Sequence, residues 1–291
     1  MTATAELAKI GRMSIAAAPA PDAPGASRTT LFFAIALTLC TLGLLAPTLA
    51  AFGVLSGPPQ RYLAGAPLAA LSPTIAAVIA AWREGGWAAV RALFRGLRAW
   101  RASPIWYVLA LALPTLVFTA GRAVYAFVPG NEGGPWLYPP ERPEHFAALI
   151  VIPLGEEIGW RGYALPRLLA RHGAPLATAM LSLLWALWHV PMFISSGYTS
   201  SQVPICVGFI MVGNPLFTWL YRRSGGSLLL AVLLHFGAHL DGMTHALPAS
   251  ATPVYIATAA YVVFSLALFS LDRRAFEGRS PEAPGTRPAL V

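Results

Sequence analysis

The sequence predicts an all-α membrane protein, a polytopic bundle of about eight transmembrane helices. Of the 291 residues, 56% are hydrophobic and only 11% are charged, whereas an ordinary soluble domain has about 25% charged residues. The mean hydropathy is +0.61. The apolar residues form blocks close to the roughly 20 residues that a helix needs to cross a ~30 Å hydrocarbon core. A soluble fold of this length could not bury so much apolar surface.

The elements follow one another simply along the chain. Residues 1–29 are rich in Ala and Pro, and we expect them to form a flexible cytoplasmic tail. A transmembrane helical domain is expected over residues 30–271, with a second flexible cytoplasmic tail over residues 272–291. The candidate spans within that domain are apolar and of membrane-crossing length. They lie at about residues 31–55, 62–82, 105–128, 146–170, 174–197, 204–221, 226–247 and 253–271.

The basic residues predict how these spans are oriented, because short cytoplasmic loops are rich in Lys and Arg. With both termini in the cytoplasm, most of the 20 basic residues lie in cytoplasmic segments, and the exported segments hold only Arg61 and Arg142. An even number of spans with an N-in/C-in orientation therefore fits best. The basic segment from Arg83 to Arg101 is either an amphipathic helix on the anionic cytoplasmic leaflet or a loop that only sets topology.

Charge and composition also bear on partners and location. The net charge of +8 is spread between apolar blocks, so we expect no nucleic-acid partner. Cys40 and Cys206 lie in apolar stretches without metal-type spacing and are expected to be core residues. Lys9 is the only lysine, which together with abundant Ala, Gly and Pro is typical of a GC-rich bacterial source. We therefore expect a multi-pass protein of the inner (plasma) membrane.

A few ionisable residues fall inside the predicted spans, where each costs roughly 2.5–3.5 kcal/mol or more and usually faces a partner or a water-filled cavity. They are Glu156, Glu157 and Arg161 in the fourth span, His189 in the fifth, and His235, His239 and Asp241 in the seventh. A rise of about 1.5 Å per residue places Glu156, His189 and His235 at comparable depths. We expect these groups to meet near mid-membrane.

The two neighbouring glutamates are expected to have different roles. Glu157 and Arg161 are four residues apart, so they share a helix face and can form an ion pair that offsets part of the cost of burial. Glu156 lies about 100° around the helix and lacks that partner, which leaves it available as a general base. The alternative is that all three residues only hold helices together.

The histidines leave several possibilities open. His235 and His239 are four residues apart, so both imidazoles can turn toward a metal, a substrate oxygen or each other. His189 follows Trp185 and Trp188 in an apolar helix; taken singly, it is more typical of a hydrogen-bonded packing residue than of a catalyst. Three histidines and a carboxylate pair at similar depth on three helices make chance placement less plausible.

Three motifs in this region share one order and spacing. Glu156, Glu157 and Arg161 form EExxxR, followed by Trp185-x-x-x-His189 and then His235-x-x-x-His239. Together they resemble the EExxxR, Phe-x-x-x-His and His-x-x-x-Asn motifs of the CAAX protease and bacteriocin-processing family of intramembrane proteases. The resemblance covers roughly residues 146–247.

The resemblance implies an eight-helix membrane fold and an intramembrane endopeptidase that acts on membrane-associated proteins or peptides. Glu156 and His189 would activate a water to attack a peptide bond, while Glu157 and Arg161 would be a structural ion pair. His235 and His239 would bind the developing oxyanion. In the family's metalloprotease description, the ligands of a zinc ion would come from Glu156, His189, His235 and His239.

Two residues depart from the family's usual motifs. Trp185 replaces Phe, and because it keeps an aromatic wall, little effect is expected. His239 replaces Asn, and this change bears on mechanism. An Asn amide can donate to an oxyanion, whereas a second His at this spacing is also a good zinc ligand. Metal-free and zinc-dependent chemistry both remain open on the sequence.

Other functions compete with hydrolysis. A transporter or proton-relay protein could use the same buried groups, although a relay needs them strung through the membrane and here they cluster near one level. A catalytically inactive member that regulates a partner, as an immunity protein would, is a further alternative. Leu240-Asp241-Gly242 resembles an element of site-2-type zinc proteases, but Phe236 stands where that group has a Glu. We expect Asp241 to be a helix-end or supporting residue.

Overall fold

The computed structural model describes residues 25–127, 143–240 and 252–277, and these residues contain helices and turns but no strand. The α-helices, numbered in chain order, are α1 (Gly25–Ala51), α2 (Ala66–Leu93), α3 (Pro104–Ala126), α4 (Pro143–Glu157), α5 (Leu165–His172), α6 (Ala174–Trp188), α7 (Val190–Ser195), α8 (Gln202–Arg223), α9 (Leu228–His239) and α10 (Thr252–Leu271). A π-helical segment, Ile158–Ala164, joins α4 to α5. Shorter 3₁₀ turns are Pro59–Gly65, Phe94–Arg98 and Arg273–Ala275.

The prediction of an all-α polytopic membrane protein is confirmed. Each of the eight predicted spans is largely helical within the described residues. In the part of the chain that the structure describes, five helical segments are long and apolar enough to cross a membrane: Arg28–Ala51, Pro59–Arg98, Pro104–Gly121, Ala174–Ser195 and Gln202–Arg223. The count of eight crossings and the N-in/C-in orientation stay predictions. So does the domain division, although α1 begins a few residues before the expected boundary at 30. Arg142 and Asp241 lie outside the described residues.

The surface of the bundle is apolar, as expected of helices that face lipid. Large side chains such as Leu42, Val108, Leu116 and Val263 point outward and are more than half exposed. Inside, α1 packs against α2, α3 packs against α9 and α10, and α8 lies against α6 and α10. The π segment and α4 both contact α2, so the glutamate-bearing helix is surrounded by other helices.

Close backbone approaches hold the helices that carry the buried polar residues. A Cβ added to Gly159 would lie 2.5 Å from the Pro73 carbonyl oxygen, and one added to Gly237 would lie 2.5 Å from the Leu111 carbonyl oxygen. A hydroxyl group also joins α2 to α4, where Thr74 Oγ1 donates to the Gly155 carbonyl at 2.7 Å. Small residues at such crossings let membrane helices approach closely. These contacts fix α4 and the π segment against α2, and α9 against α3.

The basic segment from Arg83 to Arg101 is largely helical, as the first of the two alternatives requires, and its position on the cytoplasmic leaflet stays a prediction. Helix α2 bends at Gly85 and Gly86, where Gly86 has φ +58°, and then continues to Leu93. Its inner face buries Val90 and Leu93, while its outer face exposes Trp87 together with most of the arginines. An outer face of Trp and Arg side chains is typical of a helix at a membrane–water interface.

The segments assigned to the cytoplasm contact one another in the structure. Glu84 accepts a hydrogen bond from Tyr163 Oη at 2.6 Å and pairs with Arg167. Ser227 Oγ donates to the Ala99 carbonyl at 2.9 Å. Asp272 pairs with Arg223, so the chain just after α10 is attached to the end of α8. A common location for these segments is what the predicted orientation requires.

We predict that Gly159→Ala destabilises the bundle by about 1–3 kcal/mol, because the added methyl group overlaps the Pro73 backbone and forces the π segment away from α2. Unfolding of the purified protein in mixed detergent micelles measures the change. Gly208→Ala is the control, since nothing lies within 4 Å of a Cβ at that position of α8. Equal stability of the two variants would show that the close approach of the π segment to α2 is not required.

Candidate active site

Glu156 and His189 lie side by side although they come from different helices. Glu156 is near the end of α4, and His189 follows the last residue of α6. Their side chains are almost fully buried, and His189 Nε2 is 4.0 Å from Glu156 Oε2. The structure thus brings together the carboxylate and imidazole that the motifs predict to act as a pair.

Trp185 contacts both of these residues. Its indole Nε1 donates to Glu156 Oε2 at 2.8 Å, and its carbonyl oxygen is 2.8 Å from His189 Nδ1. A carbonyl oxygen can only accept a hydrogen bond, so the proton of a neutral His189 ring is on Nδ1. The lone pair is then on Nε2, which faces Glu156. His189 is also enclosed by the rings of Trp188, at 4.8 Å, and Phe193, at 5.9 Å between centroids.

The neighbouring Glu157 has quite different partners. Its Oε1 accepts a hydrogen bond from Arg161 Nη1 at 2.7 Å and another from His235 Nδ1 at 2.9 Å. Glu157, Arg161 and His235 are all almost completely buried. The ion pair that sequence spacing predicts is therefore present, and it extends to α9 through His235. In the neutral form of His235 this contact leaves the lone pair on Nε2.

Arg161 is fully buried and uses aromatic rings as well as hydrogen bonds. Its guanidinium carbon is 4.3 Å from the Trp185 ring centre and 4.1 Å from that of Phe217. Such contacts stabilise a cation most when water is excluded. Its Nη2 donates to Asn214 Oδ1 on α8.

Asn214 is a residue of this network that the sequence analysis did not identify. It is fully buried, and its Nδ2 donates to Ser182 Oγ at 2.8 Å and to the Thr178 carbonyl at 3.3 Å. The network therefore connects the π segment with α6 and α8. The sequence offers only an amide within an apolar helix, which does not identify the partners of Asn214.

His239 lies next to His235 with the two imidazoles stacked, their centroids 5.0 Å apart and their planes inclined by 9°. Its Nε2 is buried and finds no hydrogen-bond partner among the described residues. As far as the described residues are concerned, this nitrogen is available to donate to, or accept from, a group that enters the site. Residue 241, the other polar residue predicted at this end of α9, is not described.

The side chains proposed as zinc ligands do not gather as a metal site requires. Within residues 25–127, 143–240 and 252–277, no three His, Cys, Asp or Glu side chains are close enough to hold one ion. Glu156, His189 and His235 each also use one side-chain oxygen or nitrogen in a hydrogen bond to another residue of the chain. The tautomers leave Nε2 lone pairs on two histidines, but the arrangement does not fit a three-ligand zinc site.

We predict that Asn214→Leu destabilises the protein by about 3 kcal/mol, because Arg161 Nη2 and Ser182 Oγ would lose their partner in an apolar interior. Denaturant unfolding in mixed micelles measures this loss. Thr218→Val is the matched control one turn further along α8, since the buried Thr218 hydroxyl has no partner among the described residues. A loss of equal size in both variants would contradict a specific role for Asn214.

Comparison with known proteins covers the segment that carries the motifs. Residues 141–240 match the family model for type II CAAX prenyl endopeptidases, Rce1-like. CAAX prenyl protease 2 of Methanococcus maripaludis is 29% identical over 101 residues, which cover 32% of this chain and 37% of that protein. The match thus spans little more than a third of the curated relative. Glu156, His189, His235 and His239 all lie within the segment that is similar to the Rce1-like CAAX prenyl endopeptidases.

Proposed function

We propose that this protein is an intramembrane endopeptidase that hydrolyses a peptide bond of a membrane-associated substrate with a water activated by Glu156 and His189. The observation that carries the proposal is the 4.0 Å separation of Glu156 Oε2 and His189 Nε2 inside a buried site. Both atoms are hydrogen-bond acceptors in the tautomer that Trp185 selects. Two acceptors at this distance are suited to the two O–H groups of one water.

Such a water is held in a reactive orientation. An oxygen about 2.8 Å from each acceptor can bridge the two atoms, with one O–H directed at Glu156 and the other at His189. Its lone pairs then point away from both side chains and toward the space where a carbonyl carbon would bind. Holding water and substrate in this way removes part of the entropic cost of the reaction.

The proton has a complete path in this arrangement. As the water oxygen bonds to the carbonyl carbon, Glu156 takes a proton from the water, and the carbonyl oxygen becomes an oxyanion. Glu156 then gives this proton to the amide nitrogen, the carbon–nitrogen bond breaks, and an acid and an amine result. His189 holds the second O–H of the water and orients it through Nε2. No metal ion is needed to balance these steps.

The oxyanion needs donors, and His239 is the better supported of the two candidates on α9. A neutral His239 can carry its proton on Nε2, which is buried and unpartnered in the described part of the chain. His235 donates through Nδ1 to Glu157, so its Nε2 could donate only if the ring were charged. Glu157 would offset that charge. Preorganised donors of this kind usually contribute the largest single part of catalysis.

The substrate class follows from where these groups lie. A site enclosed by apolar helices is reached most easily by a chain that is itself in the membrane, and the orientation predicted from the basic segments favours access from the cytoplasm. We therefore propose a membrane-associated protein or peptide as the substrate, in the inner membrane of a bacterial cell.

We expect Glu156→Gln and His189→Ala each to lower hydrolysis by at least about 10²–10⁴-fold, because the first removes the base and the second removes its partner acceptor. Terminal-peptide proteomics of membranes, at matched abundance of wild type and variants, measures the loss and names the substrate. Glu277→Gln is the control, an exposed carboxylate beyond α10. Identical fragment profiles in all four strains would favour the proton-relay or regulatory alternatives instead.

We expect His239→Leu to lower kcat by about 10²–10³-fold and His239→Asn to retain most of it, because an amide can replace the imidazole as donor to the oxyanion and leucine cannot. The assay uses a substrate fragment identified by the proteomics. Wild-type kcat in His239→Leu would rule out the oxyanion role. A loss of activity in His239→Asn as large as that in His239→Leu would favour an imidazole-specific role, such as metal binding.

A further inference from the structure

We infer that Trp185 is a positioning residue that holds both reacting side chains, its indole N–H fixing the Glu156 carboxylate and its carbonyl fixing the His189 ring. This inference rests on the proposed function, since it assigns Trp185 a part in the same reaction. It also departs from the family's usual motif. Phe, the residue expected at this position, has no side-chain donor and could make only the second of these contacts.

The geometry of the indole supports a fixed direction for its N–H. The Trp185 side chain is almost fully buried. The Arg161 guanidinium lies over its ring at 4.3 Å, and the rings of Phe217 and His235 meet it edge-on at 5.2 Å and 5.6 Å between centroids. A ring enclosed on several sides cannot rotate without displacing its neighbours. The 2.8 Å hydrogen bond to Glu156 is therefore part of a rigid cluster.

The Trp185 indole limits the rotation of the Glu156 carboxylate about its last side-chain bond. A carboxylate turns readily about its last bond, which has a broad and roughly two-fold torsional profile. The indole holds Oε2, the same oxygen that lies 4.0 Å from His189 Nε2. With the indole present, the oxygen that accepts the proton stays directed at the water's position. Without the indole, the carboxylate can turn away while the helices stay in place.

One residue thereby controls the relative position of two catalytic groups from different helices. The Trp185 carbonyl selects the His189 tautomer with its lone pair toward Glu156, as it would for any residue at 185. The indole adds the second constraint, which only a side-chain N–H donor can supply. Among the described residues, Trp185 thus contacts both the base and its partner acceptor.

The kinetic test replaces Trp185 with the family's usual residue. We expect Trp185→Phe to lower kcat by about 10- to 100-fold, the value of one hydrogen bond to a charged group, and to change KM by less than about twofold, because substrate contacts are untouched. Trp219→Phe is the matched control, since it removes an indole N–H that donates to Asp272 at 2.8 Å, away from the site. A wild-type kcat in Trp185→Phe, or equal losses in both variants, would overturn the inference.

A spectroscopic test does not depend on proteolysis. The chain has 9 Trp residues, and the indole N–H signals of ¹⁵N-tryptophan-labelled protein in micelles can be assigned to Trp185 by its loss in Trp185→Phe. We expect Glu156→Ala to shift this signal upfield and Glu277→Ala to leave it unchanged. An unchanged Trp185 signal in Glu156→Ala would show that the contact is absent and would overturn the inference. If Glu156→Ala shifts the Trp185 signal but the wild-type protein hydrolyses no substrate, the proposed function would be overturned. The contact between Trp185 and Glu156 would still stand.

Discussion

The ion pair between Glu157 and Arg161 is the interaction on which the arrangement of the site depends. Two unlike charges in an apolar bundle are costly to bury, and the cost falls as more of their donors and acceptors find partners. Glu157 Oε2 and Arg161 Nε find none among the described residues. Glu157 obtains its second donor from His235 on α9, and Arg161 obtains its second acceptor from Asn214 on α8. The rings of Trp185 and Phe217 cover the guanidinium. The need to satisfy one buried pair thus brings together residues of α6, α8, α9 and the π segment.

That requirement also explains why two adjacent glutamates differ so clearly. Successive helical residues point about 100° apart, so the network that holds Glu157 cannot hold Glu156 as well. Glu156 turns toward α6, where it meets an indole N–H and the open nitrogen of His189. The backbone changes to a π helix directly after these residues, and such segments are frequent at functional sites. Glu157 is hydrogen-bonded to Arg161 and His235, whereas Glu156 keeps Oε2 facing His189 Nε2.

Features that depend on the periodicity and spacing of residues could be predicted from the sequence. Contacts that depend on the direction of a side chain could not. The apolar blocks predict the membrane helices. Spacing along the sequence predicts the pairing of Glu157 with Arg161 and the shared helix face of His235 and His239. The hydrogen bond of Trp185 could not be predicted in this way, because it depends on a rotamer set by contacts with α8 and α9. Asn214 was missed for a related reason. A single amide in an apolar helix has no motif, and its importance becomes visible only when its neighbours across the helix interface are known.

The two departures from the family motifs bear on whether the site is active. In an inactive member, the site would gain nothing from extra polar groups, and each buried donor without a partner has a cost. Here both departures place an N–H or an imidazole at the site. Trp185 adds a donor to Glu156, and His239 keeps a ring nitrogen that no described residue satisfies. A scaffold would reach lower free energy with an apolar residue at position 239, where the imidazole Nε2 finds no partner among the described residues. Retained polar groups of this kind are therefore more consistent with a site that binds a developing negative charge than with one that only holds helices together.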